Sequence, residues 1–184
     1  MNTLPLHPAI VHLPVGLALL MPLFAAGFAL ALWKEWLGPR AWTAVVALQA
    51  LLLASALVAI NTGGSEEDRV ERLVPKGALQ QHEAFADQFT WASGATLGLA
   101  ALVLVLRRPG VSRALAAATV VATFAVTGLG LRVGHAGGQL VYVHGAAAAY
   151  LGSSGAAQPS EGRGTSSAPA PQGGRNDDDD DRKR

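Results

Sequence analysis

Five histidines, His7, His12, His82, His135 and His144, are the residues of this chain best suited to chemistry. Imidazole binds metal ions and haem iron and exchanges protons near neutral pH. Each stands at the end of an apolar stretch: His7 and His12 open the first, His82 opens the third, and His135 and His144 follow the fourth. His7 and His12 are five residues apart, which on a regular helix separates them by about 140° around the axis. One ion cannot take both from such a helix, so pairs drawn from different stretches are the better ligand sets. His12 with His82 is one such pair, and His135 with His144 another. These four are the expected constellation. His12 should be the least replaceable, since it lies furthest into a membrane helix, whereas His7, next to Pro8, reads as a helix cap.

Two cofactor chemistries suit that set. Haem b takes two imidazoles from separate helices, apolar walls, small residues for close approach and cations for its propionates. Arg72, Arg132 and Lys76 stand at the right level for the propionates. A copper or zinc ion would instead gather three or four imidazoles, with Glu83 or Asp87 as an oxygen ligand. The chain has no cysteine, which excludes thiolate metal sites, iron–sulfur ligation, c-type haem attachment and disulfides. Short zinc motifs such as His-Glu-x-x-His are missing too, so haem b for electron transfer is favoured over a bare ion. The alternatives are a copper- or zinc-binding accessory protein and a non-catalytic structural or assembly subunit of a membrane complex. No nucleophile elbow or Ser–His motif supports a hydrolase, and the helix interiors carry no charge and hold Gln49 as their one strongly polar residue, which speaks against a transporter.

Positioning these side chains falls to long apolar elements. Hydrophobic residues make up 51% of the chain and charged ones only 15%, the reverse of a water-soluble surface. Four runs, residues 9–33, 41–60, 85–106 and 111–131, each hold about 20 or more residues, enough to cross a hydrocarbon core of about 30 Å as a helix. The first lacks a preceding Lys or Arg and a small-residue cleavage site, and reads as a retained anchor. Lys34, Arg40, Arg107, Arg108 and Arg113 flank the two short connections against a single Glu35, while the connection 61–81 mixes both signs. Lys/Arg excess marks the cytoplasmic side. The expectation is therefore a multi-pass inner-membrane protein with both termini and all five histidines outside the cytoplasm. The lipid bilayer is its first partner, with a redox protein or membrane complex as a further one, and nothing points to nucleic acid.

The fold class expected is all-α: an antiparallel four-helix transmembrane bundle, with a short C-terminal interfacial segment and a disordered tail. Domain organisation follows as 1–151 for the bundle and 152–184 for a Gly-, Ser-, Pro- and Asp-rich tail that cannot bury a core. Pro14 and Pro22 should kink the first helix and free carbonyls that neighbours must satisfy. Small and weakly polar residues form stripes at helical spacing: His82, Ala86, Phe89, Ser93, Thr96 and Ala100 in the third run, and Ser112, Ala116, Thr119, Thr123, Thr127 and Gly130 in the fourth. Membrane helices meet through such residues. Gly94 and Gly98 add a small-xxx-small pair, and space for a flat prosthetic group is the other use of these positions. The segment Gly128 to Gly138 is too glycine-rich to continue as regular helix, so the fourth helix should end near Leu131, with 139–151 at the outer interface, anchored by Tyr142 and Tyr150.

Leu6-His7-Pro8-Ala9-Ile10-Val11-His12-Leu13-Pro14-Val15-Gly16 and Gly134-His135-Ala136-Gly137-Gly138-Gln139-Leu140-Val141-Tyr142-Val143-His144-Gly145 resemble the paired signatures of domain-of-unknown-function family 2231. The resemblance runs from about His7 to Leu151. It implies a small bacterial membrane protein with four helices and no established activity. Relatives fused to cytochrome c or Rieske-type domains imply redox work.

Overall fold

In the computed structural model the described residues are 6–106 and 108–150; the 152–184 tail lies outside them. The described residues form helices joined by short turns: α1 (Leu6–Ile10), α2 (His12–Trp33), a 3-10 turn (Pro39–Trp42), α3 (Thr43–Val70), α4 (Lys76–Val105), α5 (Pro109–Tyr142) and a closing 3-10 turn (Ala146–Tyr150). Four elements are long and apolar enough to cross a membrane. They pack in a ring, α2 on α3, α3 on α4, α4 on α5 and α5 back on α2, which is the antiparallel bundle expected. The outward faces carry Leu23, Leu57, Trp91, Val121 and Phe124, all exposed. Lipid is the solvent for such a surface.

The seams lie where the small residues lie. Phe89, Ser93, Thr96 and Ala100 are buried on α4, and Ala116, Thr119, Thr123 and Gly130 on α5. They come close at Gly130, where an added Cβ would stand 3.3 Å from the Phe89 ring and 3.6 Å from the Ala18 methyl. Gly94 and Gly98 are different. A Cβ at Gly94 would only graze Leu53 at 4.0 Å, and at Gly98 it would meet nothing, so this pair marks no tight helix crossing.

Proline shapes the first span in two places. Pro14 cannot donate to Ile10, so one helical bond is missing where α1 meets α2, while Val11 between them keeps helical dihedrals. Pro22 stays inside α2 and leaves the Ala18 carbonyl without its helical donor. The Thr127 hydroxyl of α5 lies 2.6 Å from that carbonyl and 2.9 Å from Thr123 O of its own helix, and its single proton goes to the shorter contact. The carbonyl freed by Pro22 thus ties α2 to α5.

The turns joining α2 to α3 and α4 to α5 are compact. After α2 the chain reverses through Glu35, whose φ of 60° is the left-handed conformation that usually favours glycine. Trp36 N–H bonds to Ala31 O at 2.9 Å and Glu35 N–H to Leu32 O at 3.2 Å, the paired bonds of a Schellman ending. Gly38 and Pro39 then launch the 3-10 turn that buries Trp42, and Pro109 starts α5 at its first position.

The opposite end, which carries the histidines, departs from the sequence reading. α3 does not stop near residue 60 but runs through Gly63 and Gly64 to Val70, leaving only 71–75 as the turn before α4. α5 does not stop at Leu131 but continues through Gly134, Gly137 and Gly138 to Tyr142. Glycine costs a helix about 1 kcal/mol per residue, and at Gly63, Gly130 and Gly137 a packed ring occupies the space beside the backbone. Beyond α5 the chain folds back, and Leu140 and Ala146 pack with Val74 into a small cap over the α3–α4 turn. Tyr142 is almost fully exposed.

Candidate functional site

Rings that belong to residues far apart in sequence meet at this end of the bundle. His7, on α1, is half-buried, and its Nδ1 donates to the Ala59 carbonyl of α3 at 2.9 Å, with Thr62 Oγ1 at 3.4 Å. Its ring lies on the bare backbone of Gly63, where a Cβ would come within 3.1 Å of Cε1. His82, near the start of α4, is half-buried against α5. A Cβ at Gly137 would come within 3.2 Å of its Cε1. The backbone of Val133 reaches the same ring, while Nδ1 is buried with no hydrogen-bond partner among the described residues. The two ring centroids are 6.4 Å apart and their planes stand at 84°.

The pairing expected from sequence is therefore replaced. His82 meets His7, not His12, because His7 is the residue of the two that turns inward. His12 is exposed on the outer surface of α2, so it is not the buried anchor of the site. His135 is exposed on α5, and His144 is half-buried just past its end, with its backbone N–H on Gln139 O at 3.0 Å. Arg72 and Arg132 are exposed at the same end; Lys76 is exposed and pairs with Glu71 at 2.9 Å. An ion pair so open to solvent contributes little stability. Among the described residues no group of three or more His, Asp or Glu side chains is arranged to hold a metal ion. His12, His82, His135 and His144 do not converge on one ion there.

What the pair can do follows from its tautomers. With Nδ1–H tied to Ala59 O, Nε2 of His7 is the basic nitrogen, the arrangement common for imidazoles that bind metals. The unsatisfied Nδ1 of His82 is the second donor atom. The two rings approach edge to face, and Cε1 and Nδ1 of His82 are turned towards Gly137, 3.2 and 3.6 Å from where a Cβ would stand. Two surface hollows, walled by Leu23, Phe24, Gly27, Phe28 and Leu37 and by Val105, Leu106, Arg108 and Val111, open at the opposite end of the bundle, away from the pair.

Sequence reasoning missed His7, Gly63 and Gly137. The usable signal was the 140° between His7 and His12, which allows only one of them to face the bundle. A second signal was a glycine at each of two outer helix ends.

The model of a family described as predicted membrane protein (DUF2231) matches residues 3–149. No curated protein and no solved structure matches the chain.

Proposed function

We propose, from the premise that the chain belongs to the DUF2231 family of predicted membrane proteins, that it transfers electrons at the outer membrane face through a haem b held by His7 and His82. The observation that carries this reading is the edge-to-face approach of two imidazoles at 6.4 Å, each backed on a glycine of a neighbouring helix. Haem iron bound by two imidazoles takes up and releases single electrons. The chain's part is to fix both rings. Ala59 O orients His7, Gly137 allows His82 to lie close on α5, and Arg132 and Arg72 supply cations at the same end. Copper is the alternative occupant, since two nitrogen donors fall short of the four ligands zinc prefers. A second reading, an assembly subunit whose histidines only join helices, is favoured by the His7–Ala59 bond between α1 and α3.

Absorption spectroscopy of the full chain purified in detergent tests the reading. The reduced protein should show a narrow low-spin band. His7→Ala and His82→Ala should each abolish it with helical content unchanged, while His12→Ala and His135→Ala keep it. Colourless wild-type protein holding neither iron nor copper would leave the assembly reading.

Orientation is part of the proposal: both termini and the histidine pair outside the cytoplasm, in the inner membrane. The inner turns carry Lys34, Arg40, Arg108 and Arg113. Reporter fusions after Leu37 and after Arg108 should both score cytoplasmic; an external score at either would reverse the assignment.

A further inference from the structure

Hydroxyls inside a membrane bundle satisfy themselves on the backbone of their own helix. Ser93 does so on Phe89 O, Thr96 on Ala92 O and Thr119 on Leu115 O, each at 2.8 Å. Thr90 departs from this habit: its Oγ1 is buried with no partner among the described residues. Two other buried atoms share that state, Nδ1 of His82 and Oε1 of Gln49. Gln49 is fully buried in α3, and its Nε2 donates to Ser93 O of α4 at 3.1 Å. A buried polar atom left unsatisfied loses its hydration with nothing in exchange.

These atoms are not scattered. His82 and Thr90 lie eight residues apart on α4, and Gln49 reaches α4 at Ser93, three residues further on. At 1.5 Å per residue they mark a line about 16 Å long from the outer end towards the middle of the bundle. The small side chain of Ala86 stands between His82 and Thr90. Past Gln49 the line meets Val45 and Trp42, both fully buried. A ring nitrogen, a hydroxyl and an amide oxygen in sequence are partners for water, which makes about three hydrogen bonds and needs only about 30 Å³.

We propose that His82, Thr90 and Gln49 line an internal file of water that opens at the histidine end and stops at Gln49 above Trp42. It brings water, and protons with it, to mid-membrane from one side only; a ligand on His82 Nδ1 would displace only the first water of the file.

Because the chain has no cysteine, single thiols can be read without background. Thr90→Cys and Gln49→Cys would be compared in sealed vesicles of the full chain with Trp91→Cys and Ala50→Cys. Those two neighbours sit at the same depths but face outward. The probe is a membrane-impermeant cationic methanethiosulfonate, applied from the side reporter fusions assign to the histidines. Reaction requires a hydrated thiolate, so Thr90→Cys and Gln49→Cys should react about tenfold faster than their neighbours, and only from that side. Adding Thr90→Val to Gln49→Cys should slow its labelling. Thr90→Cys reacting no faster than Trp91→Cys, or equally from both sides, would overturn the proposal, and this variant decides even if Gln49→Cys fails to fold.

Discussion

Trp42→Ala should destabilise the bundle by about 3–5 kcal/mol, the range for removing a fully buried tryptophan. The indole is completely enclosed at the inner end of the seam, and its Nε1 donates to Ala100 O at 3.0 Å, joining the α2–α3 turn to α4. Deleting it removes a large apolar surface from its neighbours and leaves a void that packed helices cannot close. Thermal unfolding in detergent reads the effect. Trp36→Ala is the control, since Trp36 is 72% exposed and should shift stability by no more than about 0.5 kcal/mol. A Trp42→Ala variant as stable as Trp36→Ala would mean that the inner core is not built on Trp42.

The second result expected is a coupling between Pro22 and Thr127. Thr127→Val keeps the side-chain volume but removes the donor 2.6 Å from Ala18 O, a carbonyl that Pro22 has deprived of its helical bond. An unsatisfied carbonyl there should cost about 1–3 kcal/mol. Pro22→Ala returns a backbone N–H to the same carbonyl, so in that background Thr127→Val should cost much less. A double-mutant cycle in detergent gives the coupling directly. Two independent, additive effects would show that the Thr127 hydroxyl does not compensate for the proline.

The contrast between what could and could not be read from sequence has a physical pattern. The spans, the turns at Gly38-Pro39 and Pro109, the stripe from Phe89 to Ala100 and the freed carbonyl at Pro22 all follow from local chemistry: length, apolarity, small residues at helical spacing and a missing N–H. The continuation of α3 through Gly63 and of α5 through Gly137 does not. Local preference says glycine ends a helix there, but the rings of His7 and His82 take the space a Cβ would need. Each glycine is explained by a side chain more than 50 residues away. The choice of His7 over His12 has the same origin, since it depends on how the short α1 leans on α3.

The heights of two features along α4 set their electrical positions. His82 lies five residues, about 7.5 Å, outward of Asp87, the last charge on α4 before its apolar stretch, and Gly137 lies equally far outward of Arg132 on α5. A charge that reaches the imidazole pair from outside therefore crosses almost none of the transmembrane field, and its uptake should ignore membrane voltage. A proton carried as far as Gln49 would cross about half of that field, worth about 1 kcal/mol per 100 mV. Voltage thus separates the two ends of a single helix face: the outer one is electrically part of the aqueous phase, the inner one part of the dielectric.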